Sequence, residues 1–98
     1  MKPLQLIITD TAKADLASIY DHIAADNPDA ALTFLEDLTN KIFELARSGV
    51  TGSSRDWVSK GLRGFPYRDR CFYFRIINDE MILIRVLHGK QDVTGNSF

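Results

Sequence analysis

The spacing of apolar positions changes twice along this 98-residue chain, and each change marks a new kind of element. Leu4-Gln5-Leu6-Ile7-Ile8 is a short run too apolar for clean alternation, which predicts a first strand buried on both faces. The period then lengthens. Ala12, Leu16, Ile19, Tyr20 and Ile23 recur at helical spacing as one stripe, with Lys13, Ser18 and Asp21 on the opposite face. Thr9 is placed to cap that helix through its hydroxyl, and Asp10 sits where the helix dipole favours an anion. Asn27-Pro28 restarts the chain as cap and first helical residue. A second stripe follows, Ala31, Phe34, Leu35, Leu38, Ile42 and Leu45, and Gly49 is expected to end it. Two amphipathic helices with a short connection predict an antiparallel helical hairpin. Its stripes need a surface to cover, and the later strands supply one.

The last third returns to period two. Val50 to Ser59 is a polar loop in which Trp57 stands alone. A tryptophan carries a large apolar surface, so Trp57 is expected to be a buried anchor, with stacking on a base or a partner as the other reading. Leu62 to Phe65 is a short strand stopped by Pro66, and Arg70 to Ile77 is a second one rich in aromatic and β-branched residues. Asn78-Asp79-Glu80 is turn chemistry, and Met81 to His88 completes an antiparallel hairpin. In this last strand Ile82, Ile84, Val86 and His88 share one face, and Met81, Leu83, Arg85 and Leu87 the other. Neither face is polar throughout, so the strand is expected to be central, and Arg85 needs a partner because a buried unpaired charge is costly. The tail from Gly89 is polar and expected to be mobile, with Phe98 as an anchor. The order β-α-α-β-β-β predicts one α+β domain over residues 1–98, a small antiparallel sheet packed against an N-terminal helical hairpin.

Composition narrows the function classes. The single cysteine, Cys71, excludes an internal disulfide and is expected to be a buried thiol in its apolar strand. The apolar run after Met1 is broken at Thr9 and Asp10, too short for a signal peptide or membrane span, so a cytoplasmic location is expected. Net charge is close to zero, but its distribution is uneven. Residues 1–46 hold three lysines against eight carboxylates, a net −5, and residues 47–98 hold nine cations against five carboxylates, a net +4. An acidic half followed by a basic half suggests a face for an acidic partner, whether nucleic acid, a protein surface or a peptide tail. Solvated helices carrying acids and strands carrying arginines are the plainer reading. The acidic helices are poor entrants to a DNA groove, so sequence-specific DNA binding is not expected. One cysteine with His22 and His88 gives no metal-ligand spacing, and no glycine-rich phosphate loop precedes a helix. No cofactor is implied.

Gly61-Leu62-Arg63 with Phe65-Pro66, then Phe72-Tyr73-Phe74-Arg75, then Ile84-Arg85-Val86-Leu87-His88 with Asp92, stand in an order that resembles the ParE branch of the RelE/ParE toxin superfamily. The opening segment, from Ile8-Thr9 through Asp15-Leu16 to Ile19-Tyr20, looks like that family's first helix, so the resemblance runs from about Leu6 to Asp92. It implies the same α+β fold and a bacterial toxin of the plasmid-stabilisation type, encoded beside an antitoxin.

The superfamily contains two chemistries. The RelE-like branch cuts messenger RNA on the ribosome with basic residues and a tyrosine, or a histidine-tyrosine pair, near the last strand. The ParE-like branch poisons DNA gyrase by protein–protein contact. For RNA cleavage this chain offers Arg63, Arg68, Arg70 and Arg85 to stabilise phosphate and His88 as acid or base. However, His88 is followed by Gly89, and no tyrosine follows Tyr73. The set is incomplete, and His88 is better read as structural, bonded to Asp92 or a loop carbonyl. The resemblance therefore implies a non-enzymatic gyrase inhibitor held by a ParD-like antitoxin dimer in a two-plus-two heterotetramer. A RelE-like ribonuclease, or a non-toxic member that only binds antitoxin, are the alternatives. An apolar antitoxin helix is expected beside the helical hairpin on Tyr20, Ile23 and Phe34, with its acidic end on Arg68 and Arg70. Arg63, Arg85, His88 and Lys90 are the candidates for the gyrase contact.

Overall fold

The computed structural model describes residues 2–98. Strand β1 (Gln5–Ile8) leads into helices α1 (Asp10–Ala24) and α2 (Pro28–Ser48), followed by strands β2 (Ser53–Ser54), β3 (Arg63–Tyr67), β4 (Arg70–Ile77) and β5 (Glu80–His88). The helix ends follow the sequence chemistry. The Thr9 hydroxyl accepts the Ala12 amide at 3.1 Å, and the Asn27 side chain accepts that of Ala30 at 3.1 Å. Gly49 closes α2 with φ 69°, a left-handed turn that glycine adopts without a side-chain penalty.

The strands form one sheet in the order β1-β5-β4-β3-β2. It is mixed rather than wholly antiparallel, because β1 lies parallel to β5. A parallel neighbour needs a long crossover, and the helical hairpin begins one. As expected, β5 is flanked on both sides. β1 departs from the expectation of burial on both faces. It is an edge strand whose Gln5 and Ile7 face solvent, since the helices cover only one side of the sheet. β2 is two residues long and falls inside the segment read as loop, too short to leave a periodic signal. β3 runs through Pro66, which is tolerated because β2 pairs only as far as Gly64 and leaves the outer edge there without a partner. In the last hairpin Asn78 and Asp79 both have positive φ, 51° and 65°, as a tight two-residue turn requires, and Glu80 already belongs to the strand.

A bulge corrects the expected faces of β5. Phe74 pairs with Leu83 but Tyr73 with Arg85, so Ile84 is the extra residue and the alternation shifts by one. Val86 therefore joins Met81 and Leu83 under the helices, against Leu16, Leu38, Ile42, Phe72 and Phe74. Leu87 joins Ile84 in a second cluster on the opposite face, with Leu62, Cys71, Tyr73 and Val93. Each buried aliphatic or aromatic side chain here contributes about 1.5–3 kcal/mol.

That second cluster accounts for the tail. Val93 is buried, the Phe98 ring lies 5.1 Å from that of Tyr73, and Arg75 donates to the Phe98 carbonyl at 3.2 Å. The tail is a packed strap rather than a mobile end. Phe98 is the anchor it was expected to be. Trp57 is not; it is 69% exposed, and its neighbour Val58 takes the inward place.

Burial, with Cys71 adding to it, pushes the Tyr73 hydroxyl from its ordinary 10 up to about 12. The unfolded chain loses this proton first, so this contribution to stability is intact below pH ~10 and is lost as pH rises toward 12. Urea midpoints measured from pH 9 to 12 are expected to show this fall. Tyr73→Phe should remove that part of it, and an unchanged slope in the variant would show that Tyr73 is not the cause.

Candidate functional site

Arg70 separates two grooves. It follows the β3–β4 turn, where Arg68 takes φ 54° and Tyr67 pairs with Arg70. This turn reaches α2. The Tyr67 hydroxyl donates to Asp37 at 2.8 Å, and the Arg68 guanidinium pairs with the same carboxylate. The guanidinium carbons of Arg68 and Arg70 stand 5.6 and 5.7 Å from the centre of the Phe34 ring, within cation–π range.

The first groove, of about 580 Å³, lies between the α1–α2 connection and this turn. Ile23, Phe34 and Arg68 line it, together with Asn27, Ala30, Thr33 and Asp37. Of the five residues expected to hold an antitoxin, three line this groove and Arg70 stacks on its Phe34 floor. Tyr20 is half-buried on α1 and does not line it.

The second groove, of about 460 Å³, runs between α1 and the end of β5. Asp15, Ser18 and His22 come from successive turns of α1, and Arg70, Arg85 and His88 from the sheet. The sequence brings His22 forward only as a metal ligand, and not as a neighbour of Arg85 or His88. Its signal was its position seven residues after Asp15, which puts both on one helix face. Asp15 is the partner that Arg85 needed. Its carboxylate accepts from Arg85 at 2.8 and 3.0 Å and from the Val86 amide at 2.9 Å, and Arg85 also reaches Asn96 in the tail at 3.2 Å. The hydrogen bonds to Asp15 raise the Arg85 pKa above its usual range, against the lowering effect of burial.

His88 has partners other than those expected. Its Nδ1 accepts the Lys90 amide at 3.2 Å, and its Nε2 is 3.7 Å from the Asp69 carboxylate. Asp92 turns away to the Thr94 amide and hydroxyl at 3.0 and 2.8 Å, which hold its carboxyl below the usual range.

The ribonuclease set is only partly brought together. Arg70, Arg85 and His88 share the second groove, but Arg68 lines the first and Arg63 lines neither. Arg63 pairs with Phe74 and His88 with Arg70, four residues apart along β4, which is about 13 Å at a strand's rise. The Arg63 side chain is also occupied, donating to the carbonyls of Thr51 and Gly52. Arg75 is similarly tied to Lys60 and Ser59, at 2.7 and 2.8 Å. The motif Gly61-Leu62-Arg63 thus has a structural reading. Gly61 turns at φ 83°, Leu62 fills the second cluster, and Arg63 pins the loop. Lys90 lies exposed in the turn after β5.

Comparison with known proteins agrees with this architecture. A sequence model described as "ParE toxin of type II toxin-antitoxin system, parDE" matches residues 6–93. A chain from the chromosomal ParDE toxin–antitoxin system of Pseudomonas aeruginosa is similar in structure, with TM-score 0.73 and 26% identity over 87% of this chain and 95% of the other. A chain of the RelBE2 toxin–antitoxin complex from Mycobacterium tuberculosis shares the fold, with TM-score 0.62 and 20% identity over 88% and 98% of the two chains. No curated protein matches significantly.

Proposed function

We propose that this chain, which belongs to the ParE toxin family of type II toxin–antitoxin systems, inhibits DNA gyrase by protein–protein contact and is neutralised by a ParD-like antitoxin. The observation that carries the reading is the family match, which runs from β1 through β5 and includes both grooves. In this reading the first groove receives an apolar antitoxin helix on Ile23 and Phe34, and the helix's acidic end meets Arg68 and Arg70. A dimeric antitoxin gives the two-plus-two heterotetramer. The gyrase contact falls on His88 and Lys90, which are exposed, with Arg63 and Arg85 supporting the surface from their hydrogen bonds. Gyrase places this activity in the bacterial cytoplasm. Among the described residues no helix is long and apolar enough to cross a membrane.

The separation of Arg63 from His88 weighs against RNA cleavage, which needs its groups within hydrogen-bond reach of one phosphate. A plasmid supercoiling reaction with gyrase, ATP and the purified chain tests the proposal. Lost supercoiling together with linear cleaved plasmid is the expected result, and both are reversed by antitoxin. Unaffected gyrase would overturn it and leave ribosome-dependent RNA cleavage or antitoxin binding alone.

A further inference from the structure

Trp57 is the largest apolar side chain left in solvent among the described residues, at 69% exposure, yet the loop that carries it is firmly built. The Arg55 carbonyl accepts the Val58 and Ser59 amides at 2.8 and 3.2 Å, and the Arg55 amide donates to the Leu62 carbonyl at 2.8 Å. Asp56 accepts the Gly61 amide at 2.8 Å, and Arg75 holds Lys60 and Ser59 from β4. Val58 packs into the second cluster beneath. The indole thus stands on a loop that is already ordered, so covering it costs little further entropy. Tryptophan is enriched at the energetic centres of protein interfaces. Its neighbours add charge of one sign. Arg55 donates to Ser53 and Ser54 rather than to a carboxylate, Lys60 is exposed, and the Asp56 carboxylate is taken by Gly61.

We propose that Trp57 anchors this chain on gyrase, its indole entering an apolar pocket whose acidic rim meets Arg55 and Lys60. The proposal rests on the gyrase reading and adds to it the residue that carries most of the contact. The loop packs on the sheet face opposite the helices, and its partner Arg75 lies five residues along β4 from Arg70, about 16 Å at a strand's rise. The first groove lies at the Arg68–Arg70 end, on the helical side. A helix docked there leaves Trp57 uncovered. Arg63, in contrast, pins the chain just ahead of this loop through Thr51 and Gly52. His88 and Lys90 stand at the far end of the sheet, and an interface of ordinary size, about 800 Å² on each partner, spans that separation. A nucleic-acid platform stacks successive bases on several aromatics along a basic track. Trp57 is the one exposed aromatic on this face among the described residues, which favours a protein pocket.

The test runs the gyrase supercoiling reaction with wild type, Trp57→Ala, Trp57→Phe and, as control, Phe43→Ala, an exposed aromatic on α2. Trp57→Ala should raise the half-inhibitory concentration at least ~30-fold. Trp57→Phe should fall between it and wild type, and Phe43→Ala should match wild type. Calorimetric titration should give all four chains the same antitoxin affinity, which also shows that they are folded. Trp57→Ala that inhibits like wild type would overturn the anchor and leave the gyrase reading standing. A wild-type chain that leaves gyrase untouched removes both. Trp57→Phe no better than Trp57→Ala would overturn an anchor that works through aromatic area. Antitoxin affinity lost in Trp57→Ala, with the melt unchanged, would assign the indole to the antitoxin instead and overturn the proposal. Trp57 is the sole tryptophan of the chain, so its fluorescence reports on the indole directly. Saturable quenching by plasmid DNA without gyrase would place it on a base and overturn the protein pocket.

Discussion

Asp15→Ala is expected to cost about 3–5 kcal/mol of stability, the usual range for removing one partner of a largely buried ion pair. Three donors converge on this carboxylate, two from Arg85 and the Val86 amide. All three lose their acceptor together. Among the described residues Arg85 is then a charge at 17% exposure with only Asn96 left to it, and the β5 edge beyond Leu83 loses its Val86 amide bond to α1. For a domain of this size each kcal/mol corresponds to about 4–8 °C, so the midpoint should fall by at least ~12 °C. Removing both charges in Asp15→Leu/Arg85→Met should restore much of the loss, because the pair's own attraction roughly offsets the cost of burying it. Thermal and urea melts of the two variants decide the matter. A loss under about 1 kcal/mol in the single variant would mean that water replaces the carboxylate and the bridge is not structural.

Phe34→Asp is expected to weaken antitoxin binding by about 30-fold or more while the chain stays folded. Aromatic anchors at the centre of an interface commonly carry 2 kcal/mol or more. In the proposed docking Phe34 is such an anchor, and one guanidinium stacks on it from the turn and another from β4. It is only half-buried, so an aspartate there can pair with Arg68 and Arg70 rather than strand a charge in the core. Calorimetric titration with the cognate antitoxin gives the affinity, and a melt of the free chain checks the fold. Arg68→Glu should also weaken the complex, through lost charge complementarity and a repulsion from Asp37. Leu32→Asp, on an exposed face of α2 outside the groove, serves as the control. If Phe34→Asp and Leu32→Asp bind alike, the antitoxin docks elsewhere.

Much of the architecture could be read from local chemistry, because local chemistry determines it. Thr9, Asn27-Pro28 and Gly49 act within a turn of their own positions, and all mark helix ends as expected. The need of Arg85 for a partner was also legible, since a charge in an apolar strand must be matched. The identity of that partner was not, because Asp15 lies 70 residues away and only the fold brings them together. The bulge at Ile84 was hidden for a similar reason. It is a property of pairing with β4, and nothing in Ile82 to His88 marks an extra residue. Trp57 misled because its bulk argues for burial, while the loop turns Val58 inward in its place. Of the grooves, the apolar floor was legible from the helical stripe. The second was not, since it needs one face of α1 and the last turn of β5 to be seen together.

The pairing of β1 with β5 also sets a schedule. Gln5 lies opposite Glu80 and Ile8 opposite Leu83, partners 75 residues apart, and β1 has no other neighbour in the sheet. At about 5–20 residues per second a ribosome needs roughly 4–15 s to make the intervening chain. Through that interval the helical hairpin exists without the surface it is built to cover, and the Asp15 carboxylate waits for an arginine not yet made. Contacts of this range also slow the closing step once both partners are present. The nascent chain thus lacks its completed sheet until the last strand emerges, and through that interval it is most open to proteases and chaperones.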